Sequence, residues 1–243
     1  MERYDAATYG ERVADIYDDL YGERQDTSAA VAFLEEKAGG GPALELAIGT
    51  GRVALPLAAR GIRVDGIDVS PAMVAKLRAK PGGETISVTM GDFADVPVAG
   101  SYRLVYLVFN TLFALLTQDD QLRCFENVAG HLTDDGVFVV EVFVPDLGRF
   151  ERDQHVGTTT VAVDRVQLEV SRHDAVTQRV DSSHVIFSDG GVRLYPVAVR
   201  YAWPSELDLM ARIAGLRLVE RWEGWDREPF RSTSDTHVSV YGR

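Results

Sequence analysis

The segment "ALELAIGTGRVALPLAARG" (residues 43–61) contains the pattern that decides the fold. An apolar run typical of a buried strand leads into a Gly-x-Gly turn at Gly49 and Gly51, and a run with helical character follows. Glycines at such a turn let a ligand approach the backbone closely. The segment therefore predicts a ligand-binding loop between a strand and a helix, and residues elsewhere in the chain must indicate which ligand binds there.

The composition limits the class of protein. The chain has 243 residues, 46% of them hydrophobic and 26% charged, which is typical of one globular domain with a substantial core. A net charge of −12 argues against a nucleic-acid partner, because phosphates are neutralised by Lys and Arg. The single Cys124 cannot form an internal disulfide, as is usual in a reducing cytoplasm. With no signal-peptide core and no apolar run long enough to cross a bilayer, we expect a cytoplasmic protein without a membrane partner.

Short apolar runs alternate with helical segments through the first part of the chain. The candidate strands are residues 43–48, 62–67, 86–90, 103–109 and 137–144. Repeated strand–helix–strand units predict a doubly wound α/β fold, with a mostly parallel sheet covered by helices on both faces. The nearly continuous apolar character of the runs fits strands that are buried on both sides.

The pattern changes after Pro145. Residues 158–201 alternate apolar and polar side chains, and a turn signal lies at residues 188–191. We therefore expect an antiparallel β insertion, at about residues 145–203, with one solvent-exposed face. Its apolar side must be covered by the main domain, a substrate or a second subunit. A helix and two final strands (residues 216–222 and 236–241) then complete a single domain spanning residues 1–243.

Three carboxylates recur at regular intervals at the predicted strand ends. Glu45 lies inside the first strand, Asp68 follows Gly49 by 19 residues, and Asp92 comes directly after the third strand. In a doubly wound sheet these positions gather at the carboxyl edge, where such folds bind ligands. Asp68 can accept hydrogen bonds from ribose hydroxyls and Asp92 from an adenine amino group, while Glu45 favours a cationic ligand over a pyrophosphate. S-adenosylmethionine offers all of these groups, so the carboxylates fit it better than a dinucleotide.

At these residues the chain resembles the class I S-adenosylmethionine-dependent methyltransferases. The segments "LELAIGTG", "GIDVSPAM" and "MGDF" are similar to the first three motifs of that family, and "LVYLVFNTLFAL" and "HLTDDGVFVVEVF" to its fourth and fifth strands. The resemblance covers residues 1–144 and 204–243 and implies seven strands in the order 3-2-1-4-5-7-6, with the last strand antiparallel. One departure is Ala47, which stands where the family usually has a glycine.

The resemblance also implies roles for individual residues. Asp68 would hold the ribose and Met73 would pack beside the adenine, whose edge would contact Asp92 and Phe93. Further cofactor contacts are expected from the strand and loop residues Glu45, Ala47, Gly49, Gly51 and Phe109.

The N-terminal residues 1–40 are expected to form a helical cap over the cofactor. Small-molecule methyltransferases of this class have a similar Tyr-Asp-x-x-Tyr segment, which corresponds here to Tyr17 and Tyr21. A tyrosine suits that place because its ring excludes water while its hydroxyl can reach a carboxylate. The alternative is that these rings only anchor an amphipathic helix.

The acceptor side of the site is less strongly specified. Asn110 lies at the expected mouth of the pocket and is a candidate for acceptor binding. His155, just after the fifth strand, is the best-placed candidate for a catalytic base or an acceptor contact, with His237 in reserve. His173 and His184 alternate with charged residues and are expected on a solvated sheet face. The sequence has no Cys/His cluster of the kind that binds a metal ion, so we expect no metal site.

Together these features predict an enzyme that transfers a methyl group from S-adenosylmethionine to a nitrogen, oxygen or sulfur atom of a small metabolite, plausibly in secondary metabolism. Two alternatives stay open from the sequence: an NAD(P)-dependent oxidoreductase, and a non-catalytic regulator that binds S-adenosylmethionine. A homodimer contact through the insertion is a further expectation.

Overall fold

The computed structural model of the chain describes residues 4–22 and 26–243. The helices are α1 (Thr8–Val13), α2 (Tyr17–Tyr21), α3 (Thr27–Ala38), α4 (Ala54–Ala59), α5 (Pro71–Arg78), α6 (Gln118–His131) and α7 (Pro204–Ile213). The strands are β1 (Ala43–Leu46), β2 (Val64–Asp68), β3 (Ser87–Met90), β4 (Tyr102–Leu107), β5 (Leu132–Phe143), β6 (Gln154–Val161), β7 (Arg165–Asp174), β8 (Arg179–Ser188), β9 (Gly191–Arg200), β10 (Arg217–Trp222) and β11 (Thr236–Gly242). Within these residues, no helix is both long and apolar enough to cross a membrane.

The larger sheet has seven strands in the order β10-β11-β5-β4-β1-β2-β3. Strands β1 to β5 pair in parallel, whereas β11 is antiparallel to both β5 and β10. When the four strands of the insertion are left out of the numbering, this is the predicted order 3-2-1-4-5-7-6 with an antiparallel last strand. The α/β fold prediction is confirmed.

Helices cover strand β1 on both faces. All four of its residues are buried, and Leu44 and Leu46 belong to an apolar cluster that includes residues of α6 and α7. Ala43 belongs to the second cluster, with residues of α3 and α4. An element buried on two sides has to be continuously apolar, as its sequence is, apart from Glu45.

Side-chain caps fix the starts of α5 and α6 at the carboxyl edge of the sheet. The Ser70 hydroxyl accepts a hydrogen bond from the Met73 amide at 3.2 Å, and Pro71 is the first helical residue of α5. The Thr117 hydroxyl accepts from the Asp120 amide at 3.1 Å at the start of α6. These caps hold the loops after β2 and before α6 in defined conformations.

The insertion after β5 forms a separate four-stranded antiparallel sheet in the order β6-β7-β8-β9, which confirms that part of the fold prediction. Its Ile186 and Tyr195 pack with Val13 and Ala14 of the N-terminal segment and with Met73 of α5. The N-terminal segment therefore lies between the insertion sheet and the main domain. That residues 1–40 act as a cap and residues 145–203 as the acceptor side stays a prediction.

Candidate functional site

The loop after β1 has the backbone geometry that its glycines predict. Ala47, Gly49 and Gly51 have φ angles of 55°, 57° and 79°, all in the left-handed region. Hydrogen bonds from the Ile48 amide to the Ile67 carbonyl (2.9 Å) and from the Gly51 amide to the Ile48 carbonyl (3.0 Å) fix the turn. Ala47 thus adopts the conformation that would be easiest for glycine, at a cost of roughly 1–2 kcal/mol.

Asp68 joins this loop to the end of β2. Its Oδ2 accepts a hydrogen bond from the Gly49 amide at 2.7 Å, and its Oδ1 accepts one from the Ser70 amide at 2.8 Å. Burial raises the pKa of Asp68, while the bonds from Ser70 and Gly49 act in the opposite direction. The carboxylate therefore positions the loop as well as facing the ligand space.

Glu45 lies in β1 and Asp92 follows β3, and these two strands flank β2, which ends at Asp68. Asp92 Oδ1 accepts from the Ala94 amide at 2.9 Å, which sets the turn after β3. Glu45 is buried beneath the glycine loop, where its Oε2 accepts from the Tyr106 hydroxyl at 3.0 Å. Burial raises the pKa of Glu45 to about 8, although the hydrogen bond from Tyr106 and the charge of Arg52 lower it. A cationic ligand beside Glu45 would reverse much of that shift.

The segment after β4 is held in an unusual conformation. Phe109 and Asn110 have φ angles of 57° and 64°, so two consecutive non-glycine residues are left-handed. The Phe109 amide donates to Glu141 Oε2 at 2.7 Å, and Asn110 Oδ1 accepts from the Phe143 amide at 2.7 Å. These bonds to β5 hold the strained backbone at the carboxyl edge of the sheet, where such strain commonly accompanies function.

A cavity of about 700 Å³ lies over this edge. Ten of the thirteen residues predicted for the cofactor and acceptor sites line it: Tyr17, Tyr21, Ala47, Gly49, Asp68, Met73, Asp92, Phe93, Phe109 and Asn110. The Tyr21 ring bridges the Tyr17 and Phe109 rings, with centroids 5.1 and 5.0 Å apart. The structure thus brings the N-terminal tyrosines and the glycine loop to one site.

The other three predicted residues lie elsewhere. Glu45 lines a smaller cavity of about 30 Å³ next to Ala47 and Gly49. Gly51 faces away from the large cavity, and a Cβ there would lie 2.3 Å from Leu77 Cδ1. Gly51 therefore allows the loop to pack closely on α5.

The histidines are placed differently from the expectation. His155 does not line the cavity. It lies on β6, an edge strand of the insertion sheet, and its Nδ1 is 3.1 Å from the carbonyl oxygen of Arg149. His237 is fully buried in β11, where burial lowers its pKa to about 3. His173 is buried against the Tyr201 hydroxyl, and His184 lines the cavity, so neither lies on a solvated face.

Sequence reasoning missed most of the wall opposite the glycine loop. That wall comes from the N-terminal residues Tyr4 and Tyr9 and from the insertion, including Arg149, Phe150, Glu169, Val180, Ser182, His184, Val197, Val199 and Tyr201. The spacing of Val180, Ser182 and His184 places them on one face of β8. That period of two was visible in the sequence, but it could not indicate which face meets the main domain.

The cavity is strongly acidic. Among the described residues, its lining includes the carboxylates of Asp68, Asp92, Asp146, Glu169 and Asp235, against one arginine, Arg149. Arg149 Nη2 is already paired with Glu169 Oε1 at 2.6 Å. The electrostatic environment therefore favours a cationic ligand.

Four of the tyrosines at the cavity remain protonated at neutral pH. Burial raises the pKa values of Tyr4, Tyr9, Tyr17 and Tyr201 above their ordinary value. Their hydroxyls can donate hydrogen bonds and their rings exclude water, but their raised pKa values make them poor proton acceptors.

Comparison with known proteins agrees with this geometry. Residues 43–136 match a family model described as a methyltransferase domain. The solved structure of the CcbJ methyltransferase from Streptomyces caelestis is 41% identical, with a TM-score of 0.93, and the match covers 98% of this chain and 99% of that one. The cypemycin N-terminal methyltransferase of a Streptomyces species is 24% identical over 98% of this chain and 99% of its own length. CalS10, an amino pentose methyltransferase from Micromonospora echinaspora whose structure contains S-adenosylmethionine, shares the fold (TM-score 0.68, 22% identity, 93% and 96% covered).

Proposed function

We propose that the methyl acceptor of this protein is an amine nitrogen of a small molecule in secondary metabolism. The chain belongs to the class I S-adenosylmethionine-dependent methyltransferases. Family membership excludes the nicotinamide-dependent oxidoreductase that the sequence left open, and it favours an enzyme over a regulator. The excess of carboxylates in the cavity is the observation that carries the choice of an amine.

The residues at the carboxyl edge fit S-adenosylmethionine. Asp68 and Asp92 present carboxylate oxygens for the ribose hydroxyls and the adenine amino group, and Met73 and Phe93 supply apolar surface beside them. The cavity face of Gly49 is open, since a Cβ built there meets no protein atom closer than 4.0 Å. These assignments are part of the proposal.

The smaller cavity suits the amino-acid end of the cofactor. Glu45 and Arg52 both line it and carry opposite charges when Glu45 is ionised. Arg52 Nε is buried without a hydrogen-bond partner among the described residues, so it has a donor free for a carboxylate. We assign Glu45 to the ammonium and Arg52 to the carboxylate of the methionine moiety.

When bound, S-adenosylmethionine supplies a methyl group activated by its sulfonium. The chain has to bring the acceptor lone pair in line with that group and exclude water, which can supply most of the rate enhancement. Phe109, Tyr17 and Tyr21 enclose the space beside the glycine loop with aromatic rings. An amine needs no strong base, because its free-base fraction attacks directly.

The acidic lining also favours amine acceptors over oxygen and sulfur acceptors. Cavity carboxylates raise the local concentration of ammonium ions but disfavour the phenolate or thiolate forms that react fastest. Two relatives also support nitrogen as the acceptor atom: the cypemycin enzyme is an N-terminal methyltransferase, and KedS8 from Streptoalloteichus is a sugar N-methyltransferase.

The proposal is tested by methyl transfer from labelled S-adenosylmethionine to matched panels of amines, phenols and thiols. We expect turnover of amines, with a pH–rate profile that follows the pKa of each amine. Turnover of phenols or thiols but of no amine would overturn the proposed acceptor class, even if the cofactor binds as expected.

Three further properties belong to the same proposal. A net charge of −12 supports a protein that does not bind nucleic acid, and the one cysteine, buried and free, supports a cytoplasmic location. The exposed apolar face of the insertion sheet supports a homodimer.

A further inference from the structure

Where the inner face of the insertion sheet lines the large cavity, polar side chains lie beside apolar ones. Glu169, Ser182 and His184, which we call the polar strip, all line the large cavity. Val180, Val197 and Val199 line it beside them. Isolated polar groups within an apolar wall are how binding sites fix the orientation of a ligand.

Sheet register sets two members of the strip side by side. Glu169 of β7 lies directly opposite His184 of β8 in the antiparallel pairing. Directly opposed side chains on one face have Cβ atoms roughly 4.5–5.5 Å apart. One small group of a ligand can therefore contact both side chains at once.

Glu169 is held in place and keeps accepting capacity. Its Oε1 accepts from Arg149 Nη2 at 2.6 Å and from the Ser171 hydroxyl at 2.8 Å. Both of these bonds are to Oε1, and a carboxylate oxygen has two lone pairs, so Oε2 can accept from a ligand hydroxyl.

His184 provides the complementary donor. Its Nδ1 is buried and has no hydrogen-bond partner among the described residues. Buried N–H groups without a partner are rarer than buried acceptors without one, which favours the tautomer with the proton on Nε2. Nε2 is not enclosed in this way, so it is the nitrogen that can donate to a ligand in the cavity.

We infer that the polar strip binds a hydroxyl group of the acceptor, away from the nitrogen that is methylated. A hydroxyl donates one hydrogen bond and accepts others, so it can donate to Glu169 and accept from His184 Nε2 at the same time. The acceptor is then a hydroxylated amine, of the amino sugar or amino alcohol class. This inference rests on the proposed amine methylation and adds the group that determines specificity.

The test compares amino sugars with analogues that lack one hydroxyl. For the wild-type enzyme we expect kcat/KM to be about tenfold or more higher for the hydroxylated member of at least one pair, because a missing hydroxyl leaves buried polar groups unpaired. His184→Phe keeps a ring of similar size and removes both nitrogens, and it should abolish most of that preference. Glu169→Gln should reduce the preference as well.

Ser183→Ala is the matched control. Ser183 is the neighbour of both Ser182 and His184 on β8, but it points to the opposite face and does not line the cavity. We expect the control to keep the wild-type preference. All variants should bind S-adenosylhomocysteine within about twofold of wild type by calorimetry, which also verifies that they are folded.

Three outcomes would overturn the inference. The first is a preference that survives in both His184→Phe and Glu169→Gln. The second is equal loss for both members of each pair together with loss of the acidic limb of the pH–rate profile, which would make His184 a general base. The third is wild-type turnover of amines without any preference for a hydroxyl. Absence of turnover for every amine overturns the proposed function itself, and the inference with it.

Discussion

At the scale of single residues, the site is built where the backbone is strained. Ala47, Phe109 and Asn110 line the cavity and have left-handed φ angles although none is glycine. Each such residue costs of order 1–3 kcal/mol, which the surrounding structure has to offset. Ala47 follows β1 and Phe109 follows β4, and these strands are neighbours in the sheet. The left-handed residues therefore turn the chain at the ends of two adjacent strands, and the cavity lies at these turns.

Two glycines of the loop should fail in different ways when replaced by alanine. Gly51→Ala places a Cβ 2.3 Å from Leu77 Cδ1 at a φ of 79°, so we expect a loss of roughly 2–5 kcal/mol in the free energy of unfolding. Gly49→Ala has room within the protein, so it should lose only roughly 1–2 kcal/mol but should weaken cofactor binding. Thermal unfolding and calorimetry with S-adenosylhomocysteine separate the two effects. If Gly51→Ala had normal stability but bound S-adenosylhomocysteine more weakly, Gly51 would belong to the cofactor site after all.

Asp68→Ala should weaken binding of S-adenosylmethionine about tenfold or more. The substitution removes the proposed acceptor for the ribose hydroxyls and the bond that orders Gly49. Asp68→Asn keeps one side-chain oxygen and should have a smaller effect. Asp95→Ala removes an exposed carboxylate that pairs with Arg123 instead, and serves as the control for calorimetric titration. Unchanged affinity in Asp68→Ala would exclude Asp68 from the site.

The raised pKa of Glu45 makes stability depend on pH. Its pKa is about 8 in the folded protein against an ordinary 4.5, so the fold favours the protonated form. That contribution is fully present below pH 4.5 and is lost as pH rises towards about 8. Glu45→Gln is neutral at every pH, so its stability relative to wild type should rise across this range in urea titrations. Glu126→Gln, at an exposed position on α6, is the control for removing one carboxylate.

Ligand binding supplies a second measurement on the same residue. If the ammonium group of the cofactor binds beside Glu45, binding favours the ionised form and lowers its pKa. Calorimetry at pH 7 in buffers of different ionisation enthalpy should then detect proton release in wild type and a smaller release in Glu45→Gln. Equal proton release in both proteins would contradict the assignment.

At the scale of elements, carboxylates of α1 and α2 form hydrogen bonds to the loop after β1 and to both ends of α5. Glu11 Oε1 accepts from the Ser70 hydroxyl at 2.7 Å, and Asp18 Oδ1 accepts from the Thr50 hydroxyl at 2.7 Å and from Lys80 Nζ at 2.9 Å. These bonds join the N-terminal segment to the glycine loop and to the end of α5. If the N-terminal segment caps the cofactor, as we predict, it has to open for exchange, and opening must break these bonds.

Asp18→Ala should therefore accelerate release of S-adenosylhomocysteine several-fold. Losing a partly buried ion pair and a hydrogen bond costs roughly 1 kcal/mol, which is about fivefold in a rate if opening limits release. Asp19→Ala, the next residue of α2, is exposed and should release the ligand at the wild-type rate in stopped-flow measurements. Equal release rates in the two variants would show that α2 does not control exchange.

The element order was predictable from the sequence, whereas the orientation of the insertion sheet was not. Apolar runs such as residues 43–48 imply strands covered on both faces, and the family resemblance of the motifs implied the strand order. In β7 the alternation of Val166, Leu168 and Val170 was also correct. However, its polar residues point inward: Gln167 and Ser171 are buried, while Val170 is exposed. Polar side chains on the covered face of this sheet reverse the usual rule, and no local pattern reveals it.

At the scale of the whole molecule, that reversal leaves an apolar surface. The outer face of the insertion sheet presents Val156, Phe187, Val192 and Leu194, which are 43–65% exposed. Exposed apolar clusters on a sheet commonly form contacts between copies of a chain, and a two-fold contact pairs the same surface with itself. A charge of −12 on each copy makes such a contact depend on apolar packing.

We therefore expect a homodimer in which the two insertion sheets pack face to face. Sedimentation equilibrium at micromolar concentration should give twice the chain mass of 26.7 kDa. Leu194→Glu places a charge on the apolar face, beside Val192 on β9, and should produce monomers, because an unpaired charge is costly to bury. Val163→Glu adds the same charge at a fully exposed position between β6 and β7, so it should remain dimeric. A wild-type monomer, or a Leu194→Glu dimer, would exclude this face. Since the cavity lies on the opposite side of the sheet, Leu194→Glu should bind S-adenosylhomocysteine normally, which separates assembly from cofactor binding.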